Sequence, residues 1–330
     1  MQLKKILPIL IIAIHCFSTA TAQDFIYSQI NNTSFLYNPA LTGHVPSSYR
    51  LAALFRSQWT GIDGGYKNYS FAGDFNRFSL TNNNMGLGLA VSQETAFNDK
   101  LINNTILGSW AYHVALDKEE RFYWSIGFQG GVFTRRYNVS DIKFASGLLG
   151  GENEIINSSM TVNPDIRIGT NWTSYLNSRF SFKMGVSILH IGGFQETAVR
   201  NVSSTSSAVI VHGDADYYLN SSVILQPAFF VIAQGGARQF NVGATLYKGF
   251  ENGHQFFGGV FWRYQEAMIA TVGMEMNKIK VSMSYDVNMN LLSVNTGFRG
   301  GVELSISYIG QVARTRHSDD LHERDYFDVD

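Results

Sequence analysis

Residues 67–76 read KNYSFAGDFN. Successive side chains of an extended strand point to opposite faces, so Tyr69, Phe71, Gly73 and Phe75 share one face and Asn68, Ser70, Ala72, Asp74 and Asn76 the other. The pattern returns at once: Met85, Leu87, Leu89 and Val91 alternate with Gly86, Gly88, Ala90 and Ser92. It recurs at 180–188, 279–285 and 302–308. The polar face is made of Gly, Ser, Ala and Asn, with Asp74, Lys183, Glu275, Lys280 and Glu303 set in mid-strand. A soluble β-sandwich also alternates, burying its apolar face. A membrane barrel turns that face to lipid and encloses the polar one, in segments of roughly ten residues joined by turns. The repeat of such segments from about residue 48 to 309 favours the barrel.

Composition agrees. The chain has 24 Phe, 16 Tyr and 31 Gly against 5 Pro, and only 15% of its residues are charged, which is low for a soluble surface. Beyond the first residues no run approaches the roughly 18 apolar residues of a membrane-crossing helix. Residues 1–22 read as an export signal: Lys4 and Lys5, an apolar stretch over 6–17, then Ala20-Thr21-Ala22 before Gln23. Cys16 is the sole cysteine and falls in that leader, so the exported chain is expected to carry no disulfide and no thiolate metal site. A formal net charge of −1 gives no footprint for nucleic acid.

The expected architecture is all-β: a transmembrane antiparallel up-and-down barrel of outer-membrane type, with about 14 strands. The alternation places them near 48–59, 67–78, 85–94, 104–116, 121–137, 164–175, 179–190, 216–224, 227–235, 238–248, 254–264, 267–276, 278–286 and 298–309. The stretch 216–236 is the difficult one, because two strands share about twenty residues around Pro227. Links near 95–103, 138–163, 191–215 and 287–297 are long, and those between them are short. Short turns of such barrels face the periplasm, which predicts periplasmic chain ends. Residues 23–47 form a periplasmic arm or an inward-folded plug, 48–309 the barrel, and 310–330 a charged periplasmic tail.

Enzyme readings find little to build on. There is no G-x-S-x-G, and His113, His190, His212 and His254 are scattered. Gly86-Leu87-Gly88 sits inside a strand, where small residues suit a crowded lumen rather than a phosphate. His317, Asp319, Asp320, His322, Glu323 and Asp325 are metal-ligand types at adventitious spacing in a charged tail. No catalytic residue, metal or cofactor is expected.

The arm carries the most individual motifs. Phe25, Tyr27, Ser28 and Gln29 come first, then Leu36, Tyr37, Asn38, Pro39, Ala40, Thr42 and Gly43, then Arg56, Gln58 and Trp59 on the first strand. Asn38-Pro39 initiates a turn, since the proline ring biases the preceding residue away from helix, and Gly43 permits a reversal. Arg56 and Gln58 are expected to point inward and anchor the plug, with Trp59 as an interface aromatic. These clusters resemble the PorP/SprF family of the type IX secretion system, outer-membrane proteins of gliding and protein-secreting Bacteroidetes. The late stretches LQPAFFVIAQGGARQFNVGATLYKG, GGVFWRYQEAMIATVGMEM and KIKVSMSYDVNMN are similar to the family's last strands, whereas 217–226 looks short and the tail is extra.

The resemblance implies a non-enzymatic accessory barrel that receives the C-terminal domain of a secreted cargo or gliding adhesin and supports its export or surface anchoring. The family's signature residues would bind a translocon partner or form the plug. The long outer links would face the cargo, through Leu148, Leu149, Ile155, Ile156, Val209, Ile210 and Val211, apolar groups that a solvated loop does not need. Partners would then be the cargo, outer-membrane lipid and, on the periplasmic side, other subunits of the secretion system. Two alternatives stay open: a PorP-like core component tied to a periplasmic ring, and a solute channel, since a barrel of this size can enclose a pore.

Overall fold

The structure, a computed structural model, describes residues 27–45, 47–59, 63–76, 84–138, 160–196, 203–289 and 299–311. Fourteen antiparallel strands close into a barrel. They are β1 (Tyr49–Gln58), β2 (Tyr66–Asn76), β3 (Asn84–Ala96), β4 (Leu101–Ala115), β5 (Phe122–Tyr137), β6 (Met160–Asn177) and β7 (Phe180–Leu189). A two-stranded ribbon, β8 (Phe194–Glu196) and β9 (Ser203–Thr205), follows. The barrel resumes with β10 (Ala208–Asn220), β11 (Val223–Gln234), β12 (Ala237–Gly249), β13 (Gln255–Arg263), β14 (Ala267–Met276), β15 (Ile279–Asn288) and β16 (Arg299–Gly310). Strand β16 pairs back onto β1 from Tyr49↔Gly310 to Gln58↔Gly301, so no edge is left to expose backbone groups to hydrocarbon.

The alternation read from the sequence is the alternation of the wall. On β2, Tyr69, Phe71 and Phe75 stand outward and exposed while Asn68, Ser70, Ala72 and Asp74 are buried inside. The same holds on β15, where Val281, Met283 and Tyr285 face out and Ser282, Ser284 and Asp286 face in. Tight hairpins close the short links. Gly235 and Gly236 both take positive φ, 55° and 97°, which joins β11 to β12 through two residues.

Two stretches depart from expectation, the first being the link near 95–103, which is not long but only residues 97–100 between β3 and β4. The second is strand β10, which begins at Ala208, not near 216, so Val209, Ile210 and Val211 are strand residues and not part of an outer loop. Val209 faces outward, whereas Ile210 is fully buried in the lumen beside Leu189, Phe230 and Ile232. Alternation fails as a signal there because both faces are apolar. With β10 at its full length, β10 and β11 are ordinary strands, and Pro227 is accommodated where their ladder is interrupted, between Asp214↔Ala228 and Tyr217↔Leu225. Leu148, Leu149, Ile155, Ile156 and Phe25 lie outside the described residues.

The rim where β1 starts and β16 ends is called here the terminal rim, and the opposite one the far rim. Links at the terminal rim among the described residues, such as 178–179, 221–222 and 277–278, are short; the long ones, 138–159, 190–207 and 289–298, are all at the far rim.

A charge on the outward face should destabilise the barrel far more than the same charge inside. Val272→Lys, at the most exposed large apolar position of β14, should cost about 2–4 kcal/mol and the lumen-facing Thr271→Lys clearly less, measured by reversible unfolding from lipid vesicles.

Candidate functional site

Residues 27–45 lie within the barrel, with two short 3-10 turns, Ile30–Leu36 and Pro39–Leu41, joined through Tyr37 and the extended Asn38. Their bonds reach β1, β2, β4–β7, β10, β13, β15 and β16, and they run from the far-rim half at Tyr27 down to the terminal rim at Val45. Tyr27 hydrogen bonds Asn68 and Ser70 near the far end of β2. Gly43 N–H donates to Asp74 near the terminal end of the same strand, at 2.9 Å.

Two carboxylates grip the ends of this segment, and each is held by an arginine of β1. At the upper end Glu303 accepts the N–H groups of Ser28 and Gln29 at 2.7 and 2.9 Å and pairs with Arg56 at 3.1 Å. Arg56 and Glu303 sit directly opposite each other across the β1–β16 seam. Arg56 also pairs with Asp286 at 2.7 Å, and Arg263 joins the same carboxylate at 3.1 Å. The Ser28 hydroxyl donates to Asp286 at 2.9 Å and accepts from Arg263 at 2.9 Å and from Arg56. At the lower end Arg50 and Asp74 form a two-point pair at 2.9 and 3.0 Å, and Asp74 takes the Gly43 N–H. All six charged groups are buried. Buried charges are tolerable when they are paired and hydrogen-bonded in this way, and of the six only Arg263 leaves a buried nitrogen, Nε, without a partner among the described residues.

Between the grips the polar groups of the segment find partners in turn. Asn32 donates to Ser282 and Ser305 at 2.9 and 3.1 Å, and Gln29 bonds Ser282. Gln129 donates to the Phe35 carbonyl at 2.7 Å and Arg167, itself paired with Asp165, to that of Leu36 at 3.2 Å. Tyr37 accepts the Tyr27 N–H on its hydroxyl at 2.8 Å and the Ser187 hydroxyl on its carbonyl. Asn38 caps the second turn by accepting Ala40 N–H at 3.0 Å and donates to the Thr170 carbonyl at 3.0 Å. Pro39 occupies the first position of that turn, where a missing N–H costs nothing. His212 lies 2.9 Å from the Asn38 amide, and His113 2.9 Å from the Thr42 carbonyl. His190 pairs with Asp165 at 3.0 Å.

The wall is shaped for this contact. A Cβ on Gly169 would fall on the Asn38 side-chain oxygen, and one on Gly127 on the Pro39–Ala40 peptide. Only glycine lets the backbones approach this closely. Gly86, from the Gly-Leu-Gly pattern, is a β3 residue lying against Thr42.

Of the residues singled out in the sequence, Tyr27, Ser28, Gln29, Tyr37, Asn38, Pro39, Ala40, Gly43, Arg56 and Gln58 meet in the lumen; Gln58 accepts from Arg56 at 2.9 Å. Trp59 does not join them. It follows β1 at the far rim with a φ of 53° and packs edge-on against Tyr66. The wall partners Asp286, Arg263, Gln129, Arg167, Gly127 and Gly169 were not anticipated. Inward charges in mid-strand, such as Asp74 and Glu303, were the available signal.

The segment does not fill the lumen. Tyr27, Tyr37 and Leu54 pack with Leu189, Ala208, Ile210, Phe230 and Ile232 into an apolar stopper toward the far rim, with Phe230 edge-on to Tyr37 at 5.5 Å. Beneath it a cavity of about 290 Å³ is left along β10–β16.

Removing one partner of the upper grip should be costly. Glu303→Ala would orphan two buried N–H groups and half the pairing of Arg56, and should cost about 3–5 kcal/mol in urea unfolding from micelles. Gly169→Val should displace Asn38 from Thr170 and increase protease cleavage within 27–45 while the heat-modifiable barrel remains.

Comparison with solved structures finds the same barrel fold in two toluene transporters and a FadL homologue. The toluene transporter TodX of Pseudomonas putida is 8% identical, with 87% of this chain and 95% of that one covered and a TM-score of 0.54. A FadL homologue of Pseudomonas aeruginosa is 9% identical, with 84% and 94% covered and a TM-score of 0.52. The toluene transporter TbuX of Ralstonia pickettii is 11% identical, with 85% and 93% covered and a TM-score of 0.51. At such identities the likeness is one of fold. No curated protein matches the sequence. The model of one family, the type IX secretion system membrane proteins PorP/SprF, matches residues 19–308. With that match spanning the barrel and the segment within it, the chain belongs to the PorP/SprF family of type IX secretion membrane proteins.

Proposed function

We propose that this protein is a non-enzymatic accessory barrel of the type IX secretion system, which supports the export or surface anchoring of a cargo protein through the cargo's C-terminal domain. The observation that carries this reading is the lumen closed by the chain's own residues 27–45, in a chain whose family works in secretion. A barrel closed by its own buried, paired charges is suited to holding a partner rather than passing a solute. The far rim, with its long links, is taken as the outer surface and the terminal rim as the periplasmic one, in keeping with the loop asymmetry of outer-membrane barrels. Cargo would meet the links 138–159, 190–207 and 289–298. Other secretion subunits would meet the terminal rim, and the gripped segment would act as the structural plug beneath both.

The test is to replace 141–157 with a short Gly-Ser link. The barrel should still insert, while surface retention of the cargo falls; unchanged display would remove this link from cargo binding. Co-purification from native membranes distinguishes the accessory role from a core one. A single large cargo supports the first, and periplasmic ring subunits would replace it with the second. In planar bilayers the protein should show no steady conductance; stable open-pore currents would favour a channel.

A further inference from the structure

We propose that the blind cavity beneath the stopper is the docking site for this chain's own residues 312–330, entered from the terminal rim. The cavity is closed above by Tyr37 and Phe230 and reaches down to Tyr247, Glu275, Lys280, Ser307 and Ile309, among the last residues of their strands at that rim. Its mouth therefore opens where β16 ends at Gly310, and two residues of β16 form part of its wall. The chain beyond Gln311 starts at the mouth. Residues 312–330 also outnumber the roughly nine to eleven of a membrane-crossing strand, so reach does not limit entry.

The chemistry of the two matches. The ammonium of Lys280 lies over the rings of Phe257 and Tyr247, 4.7 and 5.6 Å from their centroids. Among the described residues it forms no salt bridge, and the carboxylate nearest to it in the sheet is that of its cross-strand partner Glu275 on the same wall. The other lysine of the cavity, Lys183, is paired with Asp214 at 3.1 Å. A cation resting on two rings in a confined space is a place for a carboxylate carried beside an aromatic group. Residues 325–328 read Asp-Tyr-Phe-Asp, and the surrounding stretch 319–330 holds Asp319, Asp320, Glu323 and Asp330 against a single arginine, Arg324. Tyr326 and Phe327 are the aromatic residues of 312–330 other than histidine. A cavity of about 290 Å³ takes one aromatic side chain with the carboxylate beside it and leaves the rest of the segment at the mouth.

Cys16 is the only cysteine, so introduced thiols report unambiguously once the leader is removed or Cys16 is replaced. In the full chain in native membranes, Thr245→Cys with Phe327→Cys should give an intramolecular disulfide under mild oxidant. Leu246→Cys, on the outward face of the same strand, should not. Thr271→Cys serves as a second position in the cavity should Thr245→Cys fail to fold. A chain ending at Gln311 should alkylate Thr245→Cys several-fold faster than the full chain. A synthetic peptide of residues 319–330 should restore the slower rate, and about tenfold more peptide should be needed with Lys280→Ala. Cross-linking no better than the outward control together with equal alkylation rates, or a disulfide found only between two chains, would overturn the proposal.

Discussion

The structure depends on one buried interaction: the Glu303 carboxylate, shared between the Arg56 guanidinium and the N–H groups of Ser28 and Gln29. It joins three parts that a barrel must bring together, namely the first strand, the last strand and the segment that precedes them both. Arg56 and Glu303 face one another across the closing seam, so the pair forms only when β16 has met β1. With Asp286 and Arg263 added, two positive and two negative groups are enclosed with Ser28 at their centre. Charges this deep would be prohibitive singly, and removing any one leaves the rest uncompensated. Closure of the barrel and seating of the lumenal segment therefore share one set of contacts.

Such an arrangement explains how the lumen can be polar and yet have its polar groups paired. A channel needs its polar groups free to meet a passing solute. Here the carbonyls of Phe35, Leu36 and Tyr37 and the amides of Asn32 and Asn38 already have partners in the wall, and Ile210, Phe230 and Ile232 close what remains toward the far rim. The fold shared with toluene transporters does not by itself carry a function, which lies in what the scaffold holds.

The wall was legible from the sequence because lipid and lumen impose a period of two. Tyr69, Phe71 and Phe75 could only share a face, and the structure puts that face outward. The reading failed at Val209–Val211, where the lumen itself is apolar and the contrast between the faces disappears. The partners of the lumenal segment were only half legible. Arg56 and Gln58 lie close to the segment in sequence and share its motif, whereas Asp286 and Glu303 are more than two hundred residues away and acquire meaning only when the ends of the sheet meet. Gly127 and Gly169 looked like ordinary small strand residues, and their role appears only once Asn38 and Pro39 are seen against them.

Hydrogen exchange at the amides of Ser28, Gln29 and Gly43 tests most directly whether the lumenal segment is an integral part of the closed barrel. Held by Glu303 and Asp74, these amides should exchange as slowly as those of β1 and β16, and protection at Ser28 and Gln29 should be lost together with that of the seam when Glu303 is replaced by Ala. Exchange at the rate of an exposed loop, beside a fully protected barrel, would show that the segment is a passenger in the lumen and contradict the account.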